Sequence, residues 1–261
     1  STVFDRSPGS AASIGPSTYG GSVNMLSRSL PSEAQVNGTI SYGSFNTKLY
    51  DAQFDSGRMG PSGKMRLLVE GHQMTSDGYQ TYNYINRWGG DAKYQYRIND
   101  RTILTAYTGI IDLASNAPNV KGPTRAAIAQ FGDNYLLNND PNDPLYYKYS
   151  WYQIPTDFDY VGVNSQLGAG WRIEDKVYTD RYYNHQQYNG STITTTSGTD
   201  KLNSYRKYGN LLPIQQVSER GVLRTGLWYE YAKSDRYQTP SDPRTWVNAA
   251  LPNFHEMFNT T

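Results

Sequence analysis

The sequence predicts an all-β protein: one arc of a transmembrane antiparallel β-barrel, about nine strands of a larger wall, preceded by the end of another domain. Three observations predict it. Only 37% of residues are apolar, against roughly 45–50% in ordinary globular chains, yet aromatics reach 14% and 24 residues are Tyr. From Gln35 onward apolar and polar residues alternate with a period of two. The links between the alternating runs are short at one end and mostly long at the other.

Composition narrows the classes first. Disordered chains are poor in aromatics and strongly charged, whereas this one carries a formal net charge of +1. A membrane barrel fits, because every second side chain faces lipid and the others a wet lumen. Tyr and Trp suit its two interfaces, where the ring stays apolar and the polar atom reaches water. A Tyr-rich secreted β-sandwich or glycan-binding protein satisfies the same composition. No run approaches the roughly 20 apolar residues of a transmembrane helix. With no cysteine, disulfides and thiolate metal sites are excluded. Near-neutral charge gives no support for a nucleic-acid partner.

Residues 1–30 are small, polar and turn-rich apart from Val23-Asn24-Met25-Leu26, and Leu30-Pro31-Ser32 reads as a linker. That sets a boundary between residues 1–30 and 31–261. Strand one, residues 35–44, sets Val36, Ile40 and Tyr42 against Asn37, Thr39 and Ser41. Strand two sets Tyr50, Ala52 and Phe54 against Asp51, Gln53 and Asp55, and strand three Met65, Leu67 and Val69 against Arg66, Glu70 and His72. Strand four alternates most clearly, with Trp88, Ala92, Tyr94, Tyr96 and Ile98 opposite Asp91, Lys93, Gln95 and Arg97. Tyr94, Tyr96 and Ile98 are therefore expected toward lipid, and Lys93, Gln95 and Arg97 toward the lumen. Strand five, residues 102–113, is apolar on both faces through Ile103, Leu104, Ile110 and Ile111. Strands six to nine follow at residues 158–167, 171–186, 205–217 and 222–235, the last setting Leu223, Leu227, Tyr229 and Tyr231 against Arg224, Trp228 and Glu230. Residues 114–155 read as irregular, 189–203 as a polar loop, and 236–261 as loop-like with no further strand.

The short links lie at 59–63, 99–101, 168–170 and 218–221; those at the other end, 75–87, 114–155 and 187–204, are long, with 43–47 the brief exception. Outer-membrane barrels segregate their loops this way, and a soluble sandwich has no physical reason to.

The stretch Ile14-Gly15-Pro16-Ser17-Thr18-Tyr19-Gly20-Gly21-Ser22-Val23-Asn24-Met25-Leu26-Ser27-Arg28 resembles the end of the plug domain in TonB-dependent receptors. That plug finishes with small residues, a Tyr-Gly, a Gly-Gly pair and an apolar-Asn-apolar strand ending in Thr or Ser and a basic residue. Here the two pairs overlap as Tyr19-Gly20-Gly21, and Asn24 takes the Asn position. Arg6-Ser7-Pro8-Gly9-Ser10 is similar to the Arg-Gly-Pro motif, with Ser7 in the first glycine's place. The residues themselves are compatible: paired glycines permit positive φ and close packing. A turn followed by an edge strand would satisfy them too. The resemblance implies an N-terminal plug inside a barrel of about 22 strands. It also implies active uptake of a scarce solute across the bacterial outer membrane, with TonB, outer-membrane lipid and a small solute such as a ferric siderophore as partners. TonB would act through a region outside this chain, and the arc is not expected to work alone.

No enzyme chemistry emerges. His72, His185 and His255 are far apart, no metal-ligand spacing or P-loop occurs, and no Gly-x-Ser-x-Gly elbow is present, so no catalytic residue, metal or cofactor is expected. Asp133, Asp140 and Asp143 lack the spacing of a calcium loop and read as a solvated loop. Ligand contacts are sought among the loop aromatics Tyr79, Tyr82 and Tyr84, and Tyr146, Tyr147, Tyr149, Trp151 and Tyr152; as interface-belt residues they read equally well. Arg125, Lys121 and Lys148 are candidates to draw in an anionic ferric complex, or simply a hydrated loop. The solute stays open between a ferric siderophore, cobalamin and an oligosaccharide. A passive porin or adhesin barrel lacks the plug motif, and a secreted carbohydrate-binding β-protein would need a closed dry core.

Overall fold

The computed structural model describes residues 2–5, 22–25, 27–118, 122–249 and 254–260. Two short strands, β1 (Thr2–Asp5) and β2 (Ser22–Met25), pair antiparallel in a sheet of their own. All remaining strands form one ten-stranded antiparallel meander in strict chain order. They are β3 (Ala34–Gly43), β4 (Thr47–Ser56), β5 (Met65–Ser76), β6 (Ile85–Asn99), β7 (Thr102–Ser115), β8 (Trp151–Gly168), β9 (Trp171–Asn189), β10 (Gly198–Ser218), β11 (Gly221–Ser241) and β12 (Phe254–Thr260). A helix, α1 (Arg125–Phe131), lies in the longest connection, capped by the Thr124 hydroxyl accepting from the Ala127 amide.

The alternation has its physical meaning in the cross-strand register. Asp55, Leu68, Lys93, Tyr107, Tyr160, Tyr178, Gly209 and Glu230 are directly opposed from β4 to β11 and share one face. That face carries residues 27–30, since the Lys93 ammonium donates to the Ser27 hydroxyl at 3.0 Å and the Arg28 carbonyl at 2.7 Å. It is called the inner face below. The outer face carries Val36, Ile40 and Tyr42 of β3, Tyr50 and Phe54 of β4, Tyr96 of β6 and Leu227 and Tyr229 of β11, all exposed. Lys93, Gln95 and Arg97 are inward and Tyr94 and Tyr96 outward, as the alternation requires.

Among the described residues only Leu30, Leu68, Leu137, Tyr149 and Leu202 are buried hydrophobics. A two-layer sandwich of this size would enclose a dry core of many such residues, so the secreted-sandwich expectation is overturned. The apolar side chains stand outward on a single layer.

The turns account for the sheet's tight edge. β8 and β9 are joined at Gly168-Ala169-Gly170, all three at positive φ (95°, 47° and 75°). A Cβ at Gly170 would lie 1.9 Å from the Val217 carbonyl oxygen, so only glycine lets the neighbouring strand pass there. Gly209 works similarly inside the wall, where the Tyr178 ring lies against it and a Cβ would come within 2.3 Å of that ring.

Four expectations require correction. The sheet extends one strand further than residues 236–261 promised: β11 runs to Ser241, and β12 pairs with it from Gln238↔Phe254 to Ala232↔Thr260. β8 begins at Trp151, inside the segment read as irregular, and β7 extends to Ser115. β10 begins at Gly198, inside the supposed polar loop. In each case backbone pairing continues where side-chain alternation has faded, because cross-strand hydrogen bonds need no apolar face.

Candidate functional site

Two regions on the inner and long-loop sides of the wall bring functional residues together. The first is the joint where residues 27–33 meet the wall. The Arg66 guanidinium donates to the Leu30 carbonyl at 2.9 Å, the Arg28 guanidinium to the Gln53 amide oxygen, and the Arg58 amide to the Ser32 carbonyl at 3.1 Å. Gln35 and Gln53 both donate to Asp55, whose side chain is fully buried, while Leu30 and Leu68 are buried close by. Cations aimed at carbonyls and one apolar plug fix the chain against β4–β6. Charge-assisted bonds of this kind are about twice as strong as neutral ones.

Of the plug motif, Tyr19, Gly20 and Gly21 lie outside the described residues. Asn24 falls in β2 opposite Val3, and its side chain is likewise outside the description.

The second region is a layer formed by residues 77–84, 116–118 and 122–150 over the long-loop end of the wall. Thr81 is its rivet: its hydroxyl donates to the Leu137 carbonyl at 2.6 Å and accepts from the Leu136 amide at 3.0 Å, while its own amide donates to the Asn134 carbonyl at 2.8 Å. Asn116 bridges the same segments, its backbone amide donating to the Tyr84 carbonyl at 3.1 Å and its carbonyl accepting from the Asn83 side-chain amide at 2.9 Å, while its own side-chain amide donates to the Tyr147 and Ser150 carbonyls. Leu137, fully buried, and Tyr149 are the buried apolar side chains of this layer among the described residues.

Here the structure unites most of the expected ligand aromatics. Tyr82 stacks on Tyr147 with ring centroids 5.4 Å apart, Tyr84 meets Tyr147 edge-on at 5.6 Å, and Tyr146 meets both Tyr147 and Tyr149 at 5.2 and 5.0 Å. The Lys148 ammonium lies 5.8 Å from the Tyr147 ring centre. Tyr79 stands apart, edge-on to Phe45 at 5.6 Å and well exposed. Arg125 is exposed at the start of α1 with no ion pair among the described residues, and Lys121 lies outside them. Trp151 and Tyr152 are strand residues on opposite faces: Tyr152 continues the inner face opposite Ser115, whereas Trp151 points outward against the His185 ring at 5.3 Å.

The Tyr84 hydroxyl is held above the usual tyrosine value, first by lost hydration and then by the nearby Tyr147 and Asp77. The calcium candidates are turned to their own loop, Asp140 accepting from the Asn142 amide at 2.9 Å and Asp143 from the Leu145 amide at 2.7 Å. No cluster of three metal-ligating side chains occurs among the described residues.

A further group escaped the sequence reading. Tyr107, Phe158, Tyr160, Tyr178, Tyr182, Tyr205 and Trp228 share the inner face, interleaved with charges. Tyr107 stacks on Tyr160 at 5.5 Å and Tyr182 on Tyr205 at 5.5 Å. The Trp228 indole donates to the Tyr178 hydroxyl at 3.1 Å, which donates to Glu230 at 2.8 Å. Carrying the alternation of strands six to nine across to their neighbours would have found this stripe.

No protein-family model and no curated protein matches the sequence. Solved structures do match in fold. The unliganded ferric citrate transporter FecA aligns over 97% of this chain and 38% of its own, with a TM-score of 0.72 at 13% identity. FpvA of P. aeruginosa, solved with heterologous pyoverdines, aligns over 94% of this chain and 36% of its own, with a TM-score of 0.73 at 10% identity. The copper transporter OprC aligns over 94% and 35%, with a TM-score of 0.66 at 15% identity. The chain thus spans 35–38% of these neighbours' lengths. They are receptors and transporters rather than enzymes. At such identities the likeness is one of architecture, and the ten-stranded sheet has the fold of the barrel portion of TonB-dependent outer-membrane receptors.

Proposed function

We propose that this chain is the end of the plug, residues 1–30, and the first arc of the barrel, residues 31–261, of a receptor that takes up a scarce solute across the bacterial outer membrane, driven by TonB. The observation that carries the reading is the joint of residues 27–33 on the inner face of a wall whose apolar side chains stand outward. A barrel that merely conducts has no need of an N-terminal segment clamped inside it. The two open edges, β3 and β12, support a larger closed barrel, because unpaired strand edges are not tolerated in hydrocarbon.

A ferric siderophore is the first candidate solute, and cobalamin or an oligosaccharide would use the same mechanism. The bound ligands and cargoes named for FecA, FpvA and OprC favour a metal complex. The layer of Tyr82, Tyr84, Tyr146 and Tyr147 is the proposed docking platform, with Arg125 and Lys148 drawing in an anionic complex.

The test is growth of the parent bacterium under iron limitation with the gene intact, deleted, and intact in a strain lacking TonB. Loss of siderophore-dependent growth in both altered strains is expected. Uptake that survives without TonB would leave the passive porin reading in its place.

A further inference from the structure

Behind the apolar band of the outer face, which runs through Val161, Val177, Leu212, Leu227 and Tyr229, the inner face is charged. Lys93 is its buried cation, only 7% exposed. The Lys93 ammonium donates to the Ser27 hydroxyl and the Arg28 carbonyl, and no carboxylate pairs with it among the described residues. A buried ammonium without a counter-ion is costly until an anion completes it. Beside it the wall is hollowed into a cavity of about 390 Å³, within the size range of small-molecule sites. Glycine makes the hollow, since a Cβ at Gly162 would come within 2.9 Å of the Lys176 side chain. With that space free, the Lys176 ammonium lies 5.6 Å from the Tyr160 ring centre.

We infer that this cavity binds a small solute bearing carboxylate or phosphate oxygens, held by Lys93, Arg172 and Lys176 on the exit side of the wall. The inference rests on the uptake reading above. Arg172, Glu174 and Lys176 rise in turn from the short link at Gly168–Gly170. At about 3.3 Å per residue and a tilt near 40°, Lys176 stands roughly 15 Å above that link, and short links mark the periplasmic rim of outer-membrane barrels. The Arg172 Nε donates to the Asn164 side-chain oxygen at 3.2 Å, and no ion pair engages its guanidinium among the described residues. Its planar fork suits two oxygens of one oxyanion. Glu174, the one carboxylate lining the cavity, is taken by Lys176 at 2.5 Å.

The surrounding charges favour the same occupant. From the Lys93 row toward the short links, the inner strand face also carries Arg66, Arg97 and Arg224. Against them stand Asp55, which accepts from Gln35 and Gln53, and Glu230, which pairs with Lys207 at 3.1 Å. In the next two rows up the sign reverses at Asp51, Glu70, Asp91 and Asp180. Lys207 and His72 in those rows are engaged by Glu230 and Glu70. The face is thus anionic above and cationic below, so an oxyanion that has passed the carboxylates is held beneath them and disfavoured from returning. A neutral solute would leave the cations unmatched, and a cationic one would be repelled.

The test titrates inorganic pyrophosphate and tricarballylate, a phosphate and a carboxylate anion, into the intact receptor in mild detergent by calorimetry, with glycerol as the uncharged comparison. Wild type should bind at least one of the anions, more weakly as salt rises, and ignore glycerol; which anion binds separates phosphate from carboxylate. Arg172→Gln with Lys176→Gln should weaken binding by about tenfold or more, since charge-assisted hydrogen bonds are lost. Glu174→Gln, which removes the competing carboxylate and keeps every cation, should tighten it. Neither variant touches the joint, and heat-modifiable gel migration confirms that each is folded. Wild-type affinity in the double variant, failure of Glu174→Gln to tighten binding, or no binding of either anion overturns the site. An acidic side chain of the plug seated there would give that last result. A receptor that binds the anions yet fails the iron-limitation test refutes the transport reading alone, and TonB-dependent uptake by a receptor that binds neither refutes this site alone.

Discussion

The wall and the loop layer above it solve the same problem, ordering a chain without a conventional core, by opposite means. In the wall, every strand from β4 to β11 is paired on both sides, and side chains contribute mainly by facing outward or inward. In the layer, order comes from particular side chains: the Thr81 hydroxyl and the Asn83 amide satisfy the Leu137 and Asn116 carbonyls of the other segment, the Asn116 amide satisfies those of Tyr147 and Ser150, and Leu137 is fully buried. The wall is repetitive, so a polar replacement is judged only by which face it occupies. The layer is specific, and single residues hold it.

The largest expected effect tests the wall's sidedness. Val177 is outward, exposed and in the middle of the apolar band. Val177→Arg should cost the whole barrel about 2–4 kcal/mol, the usual cost of a lipid-facing Arg at the bilayer midplane. Reversible urea unfolding in lipid vesicles measures it. A neutral result would mean that this face does not meet hydrocarbon.

A change of similar chemical size in the layer should stay local. Leu137→Ala leaves a cavity and should destabilise the layer by about 2–5 kcal/mol, with the barrel's own unfolding unchanged. Limited proteolysis within residues 116–150 should accelerate while the strands remain protected. Coupled loss of both would show that the layer and the wall form one cooperative unit. Thr81→Val sits one step lower. It removes one donor and one acceptor at an isosteric position, at roughly 1–3 kcal/mol, and hydrogen exchange at Leu136 and Leu137 should rise.

The same contrast explains what was legible in the sequence. Within the apolar band, period two is written in the letters because one face must be greasy, so Tyr94/Lys93 and Tyr229/Glu230 give strand and face together. Above the band both faces are polar. His185, Gln187, Asp200 and Gln238 are paired as fully as Val177, yet their alternation carries no hydropathy signal. That is why the upper ends of β10 and β11 carry no strand signal, whereas in β8 and β12 apolar residues fall at both parities (Trp151, Tyr152 and Ile154; Met257 and Phe258), so no single face stands out. The tyrosine layer was half legible. The residues were nameable as loop aromatics, but their union depends on Asn116 and Thr81, whose role arises only once the loops fold over one another. Trp151 differs from the loop expectation because β8 begins at this residue and pairs it with Gln187.

The smallest effect is a matter of protons. Tyr84 lies just outside β6 and is raised above its ordinary value of 10.0. The folded layer thus holds this proton more tightly than the unfolded chain does. The associated stability is fully present below the ordinary tyrosine value and is lost as pH rises through the higher, folded one. Tyrosinate absorbance, followed as the difference between wild type and Tyr84→Phe, should titrate late relative to free tyrosine. In Leu137→Ala, where the layer is loosened, the same difference signal should move back toward the free value. If it does not move, the shift belongs to the wall's edge at Ile85 rather than to the packing of Tyr84 against Tyr147, and the layer's claim to order these rings fails with it.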